Sequence, residues 1–261
     1  MRYLRLLVLF WKASFLVELE YRANFVVRIL VGVFWVGVTI LSTTVFFTHT
    51  NNIGGWDFNE VLVITGLFTL MGGIIQALLQ PNVSKIIEMV RLGTLDFVLT
   101  KPVNSLFLAS LRYSQPFSAV DVLSGSAIVV VALSRMGYIP DGLAVLEFVV
   151  MFAMSVLIVY SIWMVMATLS FWFVKVGNLS ELFNTVWDTA RFPVSTFNGV
   201  LRIVLTVVIP IAFITTFPAQ AVLGRMDEAT LGGAMAMGAI LFGFSVWFWR
   251  YAVRSYSSAS S

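Results

Sequence analysis

The chain has 261 residues, 59% of them hydrophobic and 11% charged, with a mean hydropathy of +0.95. A water-soluble domain carries about 25% charged residues, so there is too little polar surface here to cover a globule, and the class is integral membrane protein. Cysteine is absent and histidine occurs once, which excludes a disulfide framework, a thiolate metal site and a His-rich ligand set; the net charge of +3 gives no reason to expect nucleic acid as a partner.

The first twenty-two residues predict a helix lying in the membrane interface. The apolar run LLVLFW is interrupted at Lys12, too short to span. At helical spacing Leu4, Leu7, Val8, Trp11 and Phe15 share one side, and Arg2, Arg5 and Lys12 the other, a pattern suited to rings in lipid and cations at phosphate. Glu18 breaks the pattern and predicts an end or turn there.

A spanning helix needs about 20 mostly apolar residues. Six runs meet that length: 25–47, 60–80, 105–134, 143–173, 203–223 and 231–249. They are continuous rather than alternating, which favours helices over barrel strands. The expected fold is therefore an all-α integral membrane protein, one transmembrane domain over 1–261 with six spans. Of the 16 Lys and Arg, only Arg135 and Arg225 fall near the loops 48–59, 135–142 and 224–230. By the positive-inside rule those loops are external and both termini cytoplasmic.

Two polar inner segments interrupt the spans. In 81–103, NVSKIIEMVRLG predicts a short helix capped by Asn82 or Ser84 and closed at Gly93. Lys85, Glu88 and Arg91 form a polar stripe on it. A second turn, TLDFVL, bears Asp96 and stops at Lys101-Pro102. A tight return needs only a few residues, so about twenty spent on an amphipathic unit point to a docking element for a cytosolic partner, against the plainer reading of a helix on lipid headgroups. The second segment, 174–200, repeats Leu179, Leu182, Phe183 and Val186 at helical spacing and predicts an inner-surface helix ending before Pro193.

The run IIEMVRLGTLDFVLTKPV resembles the coupling-helix region of bacterial ABC exporter permeases of the second (ABC-2) type. The stretch 192–224 resembles the fifth-span region of one subgroup, and the order of parts matches over nearly the whole chain. The loop 224–230 is short, so the re-entrant outer helices of some members have no place in it. The resemblance implies a half-transporter: two permease chains, identical or related, forming the pathway in a bacterial inner membrane, with a cytosolic ABC ATPase dimer beneath. It implies that Lys85, Glu88, Arg91, Gly93, Thr94, Leu95, Asp96, Lys101 and Pro102 form the ATPase interface. The chain has no G-x-x-x-x-G-K-[ST] loop, so it needs no cofactor itself; ATP and Mg would sit on the partner ATPase. The resemblance also suggests an amphiphilic substrate.

Within the spans, Asp121 is the acid deepest in an apolar run, where a charge costs about 3 kcal/mol. Ser114, Ser118, Asp121 and Gly125 share a face, so Asp121 serves either the pathway or helix packing. Gln76, Gln115 and Pro210 are the other polar or kinking candidates. Trp56, Trp247 and Trp249 suit aromatic belts. No catalytic or metal site is expected. A self-sufficient secondary transporter is the alternative, but it would want an internal repeat and an ion site; an intramembrane hydrolase would want His49 near a nucleophile.

Overall fold

The computed structural model describes residues 2–20, 22–173 and 186–256. Its helices are α1 (Arg2–Glu20), α2 (Arg22–Phe47), α3 (Phe58–Ile74), α4 (Gln80–Arg91), α5 (Asp96–Leu99), α6 (Ser105–Leu111), α7 (Ala119–Arg135), α8 (Gly142–Leu169), α9 (Gly199–Ile203), α10 (Thr216–Val222) and α11 (Glu228–Ser255). There is no strand among the described residues. Among the described residues five helical stretches are long and apolar enough to cross a membrane, and Gly199–Val208 with Ile211–Val222 form a pair bent by 66°, a broken span or a re-entrant loop. The expectation of an all-α membrane protein therefore holds.

Starts and stops follow local chemistry. Asp57 and Glu60 form a capping box on α3, Asp141 caps α8 and Asp227 caps α11, each carboxylate accepting orphan N–H groups of the first turn. The buried core has two main zones. One, around Trp56, Val61, Leu67, Val129 and Val222, lies at the Phe58 end of α3. The other, around Ile86, Leu95, Leu108, Trp163 and Trp249, reaches α4. Trp56 and Trp249 are thus core residues, 6% and 1% exposed, rather than belt anchors; Trp247 is exposed. Helices α3 and α7 cross closely at Gly125, where an added Cβ would stand 2.4 Å from the Leu70 backbone N and 2.6 Å from Gly66 O. Only a missing side chain permits that approach.

Five expectations change. The second span does not stop at 80: α3 runs through a π turn, Ile75–Leu79, into α4, giving 34 continuous residues, Phe58–Arg91. Pro81 lies inside this helix. It has no N–H to give the carbonyl four residues back and its ring crowds that carbonyl, so the helix widens there rather than ending.

The run 105–134 is not one span. It breaks at Arg112–Gln115 before Pro116, and the spanning stretch is Pro116–Arg135. Likewise 203–223 is bent. Ile209 adopts extended angles before Pro210, as pre-proline residues prefer. Pro210, at φ −71° and ψ 57°, centres an inverse γ-turn closed by Ile211 N–H to Ile209 O at 2.5 Å.

The reading of 174–200 as an inner segment does not hold for its described part. Ser195 Oγ donates to Gly54 O, and Phe192 packs on Phe46 with ring centroids 5.5 Å apart. These contacts put 192–196 beside the 48–57 loop, at the end of the bundle opposite α4. Arg191 itself lies over the Phe68 ring, midway along α3, rather than at the α4 end. Leu179, Leu182 and Phe183 lie outside the described residues. Finally, α1 does not end at Glu18 but continues to Glu20, because Glu18 has a partner, described below.

Candidate functional site

The α4–α6 unit is a post built on α3. At its tip, Thr94 N–H bonds Met89 O at 2.9 Å and Gly93 N–H bonds Val90 O at 3.3 Å. Gly93 has φ +68°. This is the Schellman closure, which needs a residue free to enter the left-handed region. The chain then turns into α5. Ile86 and Leu95 are fully buried, and Val98 nearly so, so the hairpin is clamped from inside.

The candidate interface residues separate into different roles. Thr94 completes the closure and Leu95 is a core anchor. Lys85 and Glu88 pair at 2.7 Å on the exposed side of α4, but Lys85 also lines the crevice described below. Arg91 is exposed at the tip. Asp96 begins α5, and its charge acts with burial to raise the pKa of the Tyr256 phenol at the end of α11, burial being the larger cause. Lys101 and Pro102 are exposed where the unit turns towards α6. Two residues that charge patterning overlooked dominate the tip: Leu92 and Phe97 are 57% and 73% exposed. Their signal in the sequence was an aromatic and a leucine on either side of a Gly-Thr turn.

The post is tied to the bundle by a joint. Because Pro81 has no N–H, Ala77 O is free of its helical partner, and Gln115 N–H fills it at 2.9 Å. Asn82, 1% exposed, donates through Nδ2 to Leu78 O at 2.6 Å and to Tyr113 O at 2.7 Å. Its Oδ1 accepts from Tyr113 N–H at 2.9 Å. Asn82 therefore clasps the break between α6 and α7 and caps no helix. From the other side Ser14 Oγ accepts Ser114 N–H at 3.3 Å, and the Glu18 carboxylate accepts Phe117 N–H at 3.0 Å. Burial raises the Glu18 pKa, opposed by that backbone N–H and by Arg28. Arg28 sits 4.5 Å over the Phe117 ring.

Gln76, Gln115 and Asp121, singled out separately, line one crevice of about 760 Å³ between α2, the α3–α4 helix and α7. Arg28, Trp35, Gln80 and Tyr113 complete its polar and aromatic wall. It adjoins a second cavity of about 430 Å³ that shares Gln76, Gln80 and Asp121 and adds Thr39, Thr69, Asp188 and Arg191. Arg191 pairs with Asp188 at 3.0 Å and lies 5.0 Å over Phe68. Asp121 has no side-chain hydrogen bond or ion pair among the described residues; its Oδ1 faces α2 at Gly32. Pro210 is not part of this crevice.

At the far end Arg225 forms an ion pair with the buried Glu60 carboxylate, a contact between loop and helix start that hydropathy gave no means of finding. No group of three or more His, Cys, Asp or Glu is placed to hold a metal among the described residues. The arrangement suits passage and mechanical linkage: a polar crevice between α2, the α3–α4 helix and α7, joined by buried hydrogen bonds to the α4–α6 unit.

Compared with known proteins, residues 33–260 match the family described as ABC-2 family transporter protein. No curated protein and no solved structure matches.

Proposed function

Because the chain belongs to the ABC-2 transporter family, and so is a permease subunit of an ABC transporter, we propose that it is the transmembrane half of an ATP-driven exporter and that a cytosolic ATPase docks on the tip of its α4–α6 unit. The observation that carries this reading is the exposed pair Leu92 and Phe97, held on a rigid post beside Glu88 and Arg91. Stable interfaces concentrate aromatic and Arg anchors in an apolar centre with charges at the rim, and this tip has that make-up. A post continuous with a spanning helix transmits a push along its axis.

ATP and Mg bind the ATPase dimer, not this chain. A second permease chain, identical or related, covers α2, of whose best spanning window only 6% is buried. Lys85, Arg91, Lys101, Arg250 and Arg254 mark the α4 end as cytoplasmic, in a bacterial inner membrane, with both termini on that side. The substrate is amphiphilic, since the crevice sets Arg28, Gln76 and Asp121 beside Val31, Trp35 and Val120.

The test is copurification of the ATPase and substrate-stimulated ATP hydrolysis in reconstituted complexes carrying Phe97→Ala or Glu88→Lys, with permease abundance measured in parallel. Both variants should stay in the membrane and lose ATPase. Glu88→Lys would instead tighten a helix lying on anionic headgroups. Wild-type association and transport in both variants would overturn the docking assignment.

A further inference from the structure

A separate cavity of about 600 Å³ lies between α1 and α6. Its wall is apolar along Phe10, Val17 and Leu108 and carries two cations, Lys101 and Arg112. Neither has a carboxylate within ion-pair distance among the described residues; Arg112 rests 5.3 Å over the Tyr113 ring. Ser114 lies between this cavity and the larger crevice and lines both, and its Oγ is buried without a hydrogen-bond partner. A buried hydroxyl without a partner, beside two cations without a carboxylate partner, gives this wall a donor-rich, positive character that suits an anion. Glu18 is the acid on this wall. Its carboxylate is engaged by Phe117 N–H and faces Arg28, so it does not neutralise the pair.

We propose that this cavity holds a phospholipid with an anionic headgroup. The phosphate sits on Lys101 and Arg112 and accepts from Ser114 Oγ; an acyl chain follows Phe10, Val17 and Leu108. Guanidinium and ammonium groups are the usual partners of phosphate oxygens, and anionic headgroups concentrate at basic pockets of the cytoplasmic leaflet. The occupant reaches the site from the bilayer, because Leu4, Val8, Trp11 and Phe15 of α1 face outwards, as in a helix embedded at the interface. The role follows from position. The cavity backs directly onto Ser114 and Gln115, so the lipid seats α1 against the joint between post and bundle. The inference does not depend on ATPase docking, and it assigns Lys101 to lipid rather than to the ATPase.

The experiment uses the permease alone, purified in mild detergent. Copurifying phospholipid is measured by mass spectrometry, and the melting temperature is followed on adding phosphatidylglycerol, phosphatidylcholine or inorganic phosphate. Wild type should retain phosphatidylglycerol and melt higher with it than with phosphatidylcholine, since a ligand of the folded state stabilises by mass action. Lys101→Gln/Arg112→Gln should retain at least tenfold less and lose that shift. Arg112→Lys should keep the lipid, and Val17→Trp should lose it by filling the apolar wall. If the double variant does not fold, Lys101→Gln alone, at an exposed position, gives the same comparison with a smaller loss. Equal retention in wild type and variants, equal stabilisation by phosphatidylcholine, or a shift by inorganic phosphate as large as that by phosphatidylglycerol would each overturn the proposal.

Discussion

Asn82→Ala is the sharpest perturbation of the joint. The side chain is 1% exposed and makes three hydrogen bonds, at 2.6, 2.7 and 2.9 Å. Each is worth about 1 kcal/mol net, and an orphaned buried partner costs about 1–3 kcal/mol. Tyr113 would lose the partners of both its N–H and its C=O, while Leu78 O would keep its helical environment. The expected cost is about 3 kcal/mol, which for a chain of this size is roughly 6–12 °C in melting temperature. The assay is thermal melting of purified permease, paired with the ratio of transport to ATP hydrolysis in the complex. Asn82→Ala should lower melting and also lower that ratio, because the post then moves without carrying α6 and α7. Asn82→Asp should do no better, since it keeps the acceptor, drops both donors and buries a charge. Melting within 2 °C of wild type, with an unchanged ratio, would refute the joint as a structural and mechanical link.

Further outcomes are expected at sites independent of it. Gly125→Ala should cost about 1–3 kcal/mol by overpacking against the Leu70 and Gly66 backbones, read as a lower melting temperature without loss of membrane insertion. Glu18→Gln should melt as wild type or higher at neutral pH, since burial raises the carboxyl pKa and the charged form is the disfavoured one: that penalty is present above the folded pKa and is relieved as pH falls through it. Glu18→Leu should melt lower, because Phe117 N–H loses its acceptor. Single cysteines at Asn52, Asp141, Asp227 and Asn198 should react with an impermeant thiol reagent on intact cells, and those at Ser84 and Ser258 should not. Protection at Asn198 with labelling at Asn52 would refute the placement of 192–196 beside the 48–57 loop.

Hydropathy located the membrane helices because burial in lipid is set by composition, and composition is local. Gly93 was legible for the same reason: its left-handed turn depends on one residue type. The breaks were not. Arg112–Gln115 sits in a run apolar enough to span, and its interruption is stable only because Ala77 and Asn82, more than thirty residues earlier, take its backbone groups. Asn82 read as a cap because Asn near a helix start usually is one; its true partner is distant in sequence. Glu18 read as a stop for the same reason. The segment after Pro193 was misplaced because Asp188 and Arg191 resemble a wet surface, whereas they pair with each other beside a cavity shared with Asp121. Among the candidate residues, charge drew attention to Lys85 and Asp96 and away from Leu92 and Phe97, whose exposure is decided by the turn between them.

The π turn at Ile75–Leu79 also gives the chain a local tolerance of length that its composition hides. An α-helix advances by about 100° and 1.5 Å per residue, and a π turn accommodates one extra residue without breaking the rod. Deleting a single residue there would let the turn close into regular α-helix, and because the turn had absorbed that residue, everything beyond it would keep roughly its direction. A one-residue deletion between Asn82 and Leu92 has no such reserve and would swing Leu92 with Phe97 by about 100°, although no contact residue had been altered. The same deletion should therefore pass quietly beside Leu78 and behave like a misaimed lever a turn or two later.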